Sequence, residues 1–240
     1  MNLAVIPARG GSKRIPRKNI LPFYGHPMIA WSISAALDSN CFDRVIVSTD
    51  DVEIAAVARS YGAEAPFLRP AILSDDHVGT NAVMAHAVDW CDDDGLQPSA
   101  VCCIYATAPF IQPETIQAGL RLLESQDCSY VFSATSFAFP IARAFRITAE
   151  GRAEMFSPNH FHTRSQDLEE AYHDAGQFYW ARAEAWTQQK PIFSPDSVPF
   201  LLPRYRVQDI DTYEDWRRAE IMFAALDDGR RPEFAHVTAP

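Results

Sequence analysis

Short unbroken apolar runs alternate with amphipathic stretches over the first half of the chain. This alternation predicts strands buried on both faces, separated by helices. Residues 3–6 form the first run. After a polar loop, Met28, Ile29, Ile33 and Leu37 recur at helical spacing from a Gly25-His26-Pro27 start, predicting a helix that ends near Asp38-Ser39-Asn40. Residues 44–49 predict a second buried parallel strand closed by Asp50-Asp51, and Ile54, Val57 and Ala58 a helix that stops at Gly62. Segment 68–76 is too broken by proline and charge for a core element and reads as a site-lining loop. A helix over 80–91 turns Val83, Ala87 and Trp90 inward, and Asp92-Asp93-Asp94-Gly95 closes it as a solvated turn. Residues 100–105 are the most apolar run and read as a central strand, followed by a helix over 113–125 and a strand over 130–135.

The rhythm changes after Thr135. Residues 137–167 carry no long helical period and contain Pro140, Gly151 and Pro158, with short strand-like pieces near 143–148, so they read as a β-rich insertion. A strand over 177–180, a loop over 195–203 and a short edge at 205–207 follow. The last helix starts at a Thr212 cap and buries Trp216, Ala219, Phe223 and Leu226. The expected fold is α/β: a doubly wound, mostly parallel, three-layer sheet of Rossmann-like type, whose ligands bind beyond the carboxyl ends of its strands. Residues 1–232 read as one domain, with 137–170 as the insertion and a mobile tail from Asp227, 233–240 lying beyond the domain.

Composition narrows the classes. At 240 residues and 48% hydrophobic the chain can bury one sizeable core. No apolar run approaches the ~20 residues of a membrane span, and Arg9 arrives too early for a signal peptide, so the reading is a soluble cytoplasmic protein without a membrane partner. Five cysteines without C-x-x-C spacing read as buried thiols. A net charge of −10, with no basic tract beyond the first loop, argues against nucleic acid and for a free nucleotide.

That loop holds the candidate chemistry. Pro-Ala-Arg-Gly-Gly-Ser-Lys-Arg-Ile-Pro-Arg-Lys-Asn, residues 7–19, places five of the 21 Lys and Arg within ten positions. Gly10 and Gly11 would let the backbone turn its amides into one hollow, a phosphate cradle. The spelling matches neither a Walker A loop nor a G-x-G-x-x-G fingerprint. Near the other end, Asp209-Ile210-Asp211 puts two carboxylates on one side of an extended segment. The pair suits a hard cation such as Mg²⁺, and reads equally as a helix-capping acidic turn.

Residues 3–33, with A-V-I-P-A-R-G-G-S-K-R-I-P-R-K-N-I and then G-H-P-M-I-A-W-S-I, resemble the CMP-sialic acid synthetase family, cytidylyltransferases that activate nine-carbon acidic sugars. The resemblance implies that the sugar's anomeric hydroxyl attacks the α-phosphorus of CTP and that pyrophosphate leaves. It implies Arg9 and Lys18 as the catalytic phosphate-facing pair, Ser12 and Lys13 on the β- and γ-phosphates, and Ala8, Gly11, Asn19, Thr80 and Thr107 at the nucleotide. It also implies Mg²⁺ on Asp209 and Asp211, with Asp211 catalytic. Members homodimerise through the region matching the insertion, each subunit helping to wall the other's sugar site. Thr80 reads equally as a helix N-cap, and Asp209, Asp211 and a metal-bound water all stay open as the proton acceptor.

On the acceptor side the chain departs from the sialic acid enzymes. Tyr105-Ala106-Thr107 stands where they have Gln-Pro-Thr, and Tyr172-His173-Asp174-Ala175-Gly176-Gln177 differs from their Arg-Pro-Asn-Gly. This looks like the branch that activates pseudaminic acid, a sugar with a deoxy terminus and two acylated amines, whose product serves glycan assembly such as flagellin glycosylation. The implied sugar site is Arg69, Tyr105, Arg164 as the cation for the carboxylate, Tyr172, His173 and Gln177; His173 also reads as a turn residue beside a glycine. Alternatives within the family are synthesis of CMP-N-acetylneuraminic acid or CMP-Kdo. Outside it stand a nucleotide-sugar-dependent glycosyltransferase, which the triphosphate-suited loop disfavours, and a nucleotide sensor that binds CTP without turnover.

Overall fold

The computed structural model describes residues 1–75, 78–226 and 234. In chain order it has β1 (Asn2–Ala8), a two-residue hairpin β2 (Pro22–Phe23) and β3 (His26–Pro27), α1 (Met28–Asp38), β4 (Arg44–Thr49) and α2 (Val52–Ser60). Then come α3 (Thr80–Asp93), β5 (Ala100–Ile104), α4 (Pro113–Ser125) and β6 (Tyr130–Ser136). The remainder comprises β7 (Phe145–Ile147), β8 (Ala153–Met155), β9 (Tyr172–Arg182), α5 (Ala183–Thr187), β10 (Ser197–Leu201) and α6 (Tyr213–Ala225).

The main sheet has the order β10-β6-β9-β5-β1-β4. β1 pairs in parallel with β4 and β5, β6 in parallel with β10, and β9 runs antiparallel to both of its neighbours. The unbroken apolar run of β1 follows from burial on two faces. Ala4 and Ile6 join one core layer with Ile29 and Ile33 of α1 and Ile116 of α4, while Leu3 and Val5 join the other with Met84 and Val88 of α3 and Trp186 of α5. The sheet is therefore covered by helices on both sides, the three layers expected.

α4 approaches β9 closely because it carries a glycine there. A Cβ on Gly119 would lie 2.7 Å from Phe178 Cε2 and 2.9 Å from Trp180 Cδ1, both on fully buried side chains. The indole of Trp180 in turn donates to the Ile116 carbonyl at 3.0 Å. Gly119→Ala is expected to destabilise the fold by about 1–3 kcal/mol despite the better helix propensity of alanine. A urea midpoint equal to or above that of the parent protein would show that α4 can shift outward at no cost.

Four expectations change at the C-terminal half of the sheet. Residues 195–203, read as a loop, contain β10, paired with β6 from Ser197↔Tyr130 to Leu201↔Ala134; Pro199 is tolerated because β10 is an edge. Residues 205–207, read as a short edge, lie in and just after a 3₁₀ turn over Arg204–Arg206. β9 begins at Tyr172, five residues before the expected strand, its first half disguised by His173, Asp174 and Gly176. The short helix α5 follows it, where none was expected.

The insertion holds the β7–β8 hairpin with 3₁₀ turns around it, and Phe139, Phe145, Ile147, Phe156 and Phe161 stand exposed there. Four cysteines are buried and Cys41 is half-buried; all five are unpaired. The expected mobile tail lies outside the described residues except for Phe234, whose ring stacks on His26 at 3.8 Å. No helix among the described residues is long and apolar enough to cross a membrane.

Candidate active site

The basic loop leaves the carboxyl end of β1 and is held by three anchors. Ile15 is fully buried in a third cluster with Phe23, Met28 and Trp31. Arg17, in the left-handed region at φ 59°, pairs with Asp51 and Glu53. Asn19 Nδ2 donates to the Arg9 carbonyl at 3.0 Å, closing the loop on itself. Asp51 also caps α2 by accepting the Glu53 and Ile54 amides, and the Arg17 guanidinium holds its carboxyl below the usual carboxylate range.

The glycines act differently from the expected cradle. Neither Gly10 nor Gly11 has positive φ; the left-handed residue is Arg17. The Gly10 amide is taken by Asp50 Oδ1 at 3.0 Å, and a Cβ at Gly10 would sit 2.4 Å from Asp51 Oδ2. Gly10 therefore serves close approach to the end of β4. Gly11 is exposed, meets nothing within 4 Å of a Cβ position, and does not border the cleft.

Beyond the ends of β1, β4 and β5 lies a cleft of about 560 Å³. Ala8, Arg9, Ser12, Lys13, Arg14, Lys18 and Asn19 border it, facing Arg69, Thr80, Tyr105, Thr107 and Asp211. Arg69 is almost fully buried, with Nη1 donating to the Ser48 carbonyl at 3.0 Å and Nε to Ser74 Oγ at 3.3 Å; burial lowers its proton affinity and Asp50 opposes that. The N-cap of α3 is Gly79, so Thr80 is not the cap, and its Oγ1 lies 3.1 Å from the Tyr105 hydroxyl instead.

Opposite the loop, Ile210 is fully buried beside Ile15, Phe23 and Trp216, which turns the flanking Asp209 and Asp211 away from the core. Lys18 Nζ donates to the Ile210 carbonyl and lies 3.3 Å from Asp211 Oδ1, while Arg14 Nη2 lies 2.9 Å from Asp211 Oδ2. Asp209 is exposed. The surrounding protein raises its proton affinity, neighbouring Asp211 adds to this and Lys18 opposes it. Helix capping falls to Thr212 and Asp215, which form a capping box on α6, so the carboxylate pair is left for other work.

Asp211 borders the first cleft and also a second, of about 740 Å³, shared with Asp209, His173, Asp174, Arg204 and Arg218. Among the described residues no group of three or more His, Cys, Asp or Glu is placed to hold a metal. Two carboxylates fit a cation that takes its remaining ligands from phosphates and water, as Mg²⁺ does. Lys18 and Arg14 already compensate Asp211, so a metal cation there would share this carboxylate with them.

The expected sugar residues divide. Arg69 and Tyr105 face the first cleft and His173 the second. Gln177 is buried, its amide donating to the Arg206 carbonyl at 2.6 Å, and borders neither. Tyr172 bonds Glu170 Oε2 at the surface, and Arg164 pairs with Asp167 on the exposed insertion. Within one chain these three are not brought to the site. Arg14 and Asp174, which border the first and second clefts, were missed. Arg14 was visible in the basic run and Asp174 beside His173.

Residues 3–222 match the family model described as cytidylyltransferase. The chain is 46% identical to a pseudaminic acid cytidylyltransferase of Campylobacter jejuni, over 92% of this chain and 96% of that one. It is 33% identical to a CMP-N,N'-diacetyllegionaminic acid synthase of Legionella pneumophila, over 91% and 94%. Among solved structures it is similar to CMP:2-keto-3-deoxy-manno-octonic acid synthetase in complex with CTP, with a TM-score of 0.68, 18% identity and coverage of 93% and 98%; that likeness concerns the fold.

Proposed function

The chain belongs to the cytidylyltransferase family, and from that premise we propose that it couples CTP to pseudaminic acid, giving CMP-pseudaminic acid and pyrophosphate. The observation that carries the acceptor is the 46% identity to a pseudaminic acid cytidylyltransferase over nearly the full length of both chains. CTP occupies the first cleft, with its phosphates along Arg9, Ser12, Lys13 and Lys18 and its nucleoside toward Ala8, Thr80 and Thr107. The acceptor enters from the second cleft, so that the two substrates meet at Asp211, which borders both.

In the reaction the acceptor's anomeric oxygen forms a bond to the α-phosphorus while the bond to the β-phosphate bridging oxygen breaks. Negative charge grows on the α-phosphoryl oxygens and on the leaving pyrophosphate. The loop cations are held in place by Ile15, Arg17 and Asn19 before the substrate arrives, so little reorganisation is needed when that charge develops. Mg²⁺ held by Asp209 and Asp211 would supply further positive charge at the phosphates. The proton of the attacking hydroxyl passes to Asp209 or Asp211 in the second cleft, or to water there.

Homodimerisation through the insertion completes the reading. Phe139, Phe145, Ile147 and Phe161 each stand exposed on the insertion, which supports a covering partner. Arg164, remote from both clefts of its own chain, is then available to the partner's acceptor. The enzyme works in the cytoplasm, where CTP is made.

The test is pyrophosphate release from CTP and Mg²⁺ with pseudaminic acid, N-acetylneuraminic acid or Kdo as acceptor. Release with pseudaminic acid is expected to dominate. Release with one of the others alone would replace the acceptor, and none with any would overturn the reading.

A further inference from the structure

Between two buried apolar residues, Leu202 and Ile210, the chain lines the second cleft with Arg204, Tyr205, Val207 and Gln208. The segment is pinned at both ends. Leu202 joins β6 twice, its amide donating to the Ala134 carbonyl at 2.7 Å and its carbonyl accepting the Thr135 hydroxyl at 2.8 Å, while Ile210 packs in the third core cluster. Between them Pro203 opens the 3₁₀ turn Arg204–Arg206, and the Arg206 amide donates to the Pro203 carbonyl at 2.9 Å. Two side chains then tie this turn to the sheet. Arg204 Nη1 donates to the Phe137 carbonyl at 3.2 Å, and the buried Gln177 amide of β9 donates to the Arg206 carbonyl at 2.6 Å. Gln177, expected at the sugar, thus acts on the turn that borders the cleft.

The centre of the turn is Tyr205. It is 59% exposed, and the Arg206 guanidinium lies over its ring at 5.8 Å from the centroid, which steadies the ring's orientation. A single exposed aromatic is ordinary on a protein surface. This one stands in a cleft whose lining is otherwise rich in charge, with Asp174, Asp209, Asp211 and Asp215 of one sign and Arg204 and Arg218 of the other. Ala138, Val207 and Met222 are the apolar side chains that line it alongside Tyr205. The cleft therefore offers two kinds of contact: charged groups that reach Asp211, and an apolar set in which Tyr205 is the largest member.

Building on the proposed coupling of CTP to an acidic sugar, we propose that Tyr205 determines acceptor specificity by packing its ring against an apolar group of the sugar. The chemistry of the acceptor calls for such a contact. Its reacting end carries the attacking hydroxyl, which belongs at Asp211, where the clefts meet. Its deoxy terminus is a methyl group and its two acylated amines carry further apolar groups, all of which gain from leaving water. Tyr105, the aromatic expected at the sugar, borders the first cleft and lies 3.1 Å from Thr80 Oγ1, so the apolar end of the acceptor meets Tyr205 instead.

The experiment measures pyrophosphate release by the full-length protein and by Tyr205→Ala and Tyr205→Phe, varying CTP and pseudaminic acid separately. Kdo, which has neither acyl groups nor a methyl terminus, is added as a competing acid. Tyr205→Ala is expected to raise the KM for pseudaminic acid about tenfold, with the KM for CTP, the inhibition constant of Kdo and the melting temperature nearly unchanged. Tyr205→Phe keeps the ring and should stay within about twofold of the parent protein. A KM for pseudaminic acid that does not move, an equal loss of affinity for Kdo or for CTP, or a phenylalanine variant as impaired as the alanine one would overturn the inference. Turnover of N-acetylneuraminic acid in place of pseudaminic acid by the parent protein would remove the pseudaminic acid assignment alone. The KM of Tyr205→Ala for that acid, which bears one acetyl methyl, would still decide the contact. Turnover of Kdo alone, or of none of the three, would overturn the inference together with the reading it rests on.

Discussion

Asp211→Ala is expected to lower turnover at saturating CTP and acceptor by about a thousandfold. The fold should survive. Asp211 contacts Lys18 and Arg14, but its side chain is 36% exposed and that of Arg14 65%, so these pairs are screened and contribute roughly 0–1 kcal/mol to stability. The local chain is fixed by other groups: Ile210 in the third core cluster and the Thr212–Asp215 capping box. The variant should therefore melt within a few degrees of the parent. Its defect lies where the two clefts meet, because Asp211 alone of the Asp209-Ile210-Asp211 segment borders both. Circular dichroism and pyrophosphate release on the same preparation check the two halves of the claim. A near-parental rate at ordinary Mg²⁺ would take Asp211 out of the site, and an unfolded variant would make it structural.

The N-terminal half of the fold was legible because its signals are local. The 3–6 run, the helical spacing of Met28, Ile29, Ile33 and Leu37, and the 44–49 run each record burial on faces that the element alone determines. β9 and β10 were less legible because tertiary context creates them. β10 survives with Pro199 only as an edge beside β6, and the first half of β9 is polar because it lines the second cleft rather than the core. The site followed the same division. Loop charges and the Asp209–Asp211 pair are sequence-near features, each readable from spacing. Arg17 as the left-handed brace and Gly10 as a close-approach residue depend on partners 34 to 40 residues away. No periodicity carries such pairings.

The second large effect is expected from Lys18→Met, which keeps an apolar stem and removes the ammonium: turnover at saturating substrates should fall by about a hundredfold. Lys18 opens the 3₁₀ turn Lys18–Ile20, whose entry is set by the left-handed Arg17 and whose Asn19 closes on the Arg9 carbonyl. Its charge is therefore aimed before any phosphate arrives. Without ligand that charge is divided between the Ile210 carbonyl and Asp211, so it both braces the carboxylate segment and compensates it. In the proposed reaction the same ammonium would face charge growing on the α-phosphoryl oxygens, which methionine cannot stabilise. Because Lys18 and Asp211 touch, the double variant should be little slower than Asp211→Ala alone, as expected of groups acting as a unit. Fully multiplicative losses would assign them to separate steps. A Lys18→Met rate within about threefold of the parent would take the ammonium, both as charge and as brace on Ile210, out of the chemistry, because losing a preorganised cation at the reacting phosphates costs far more.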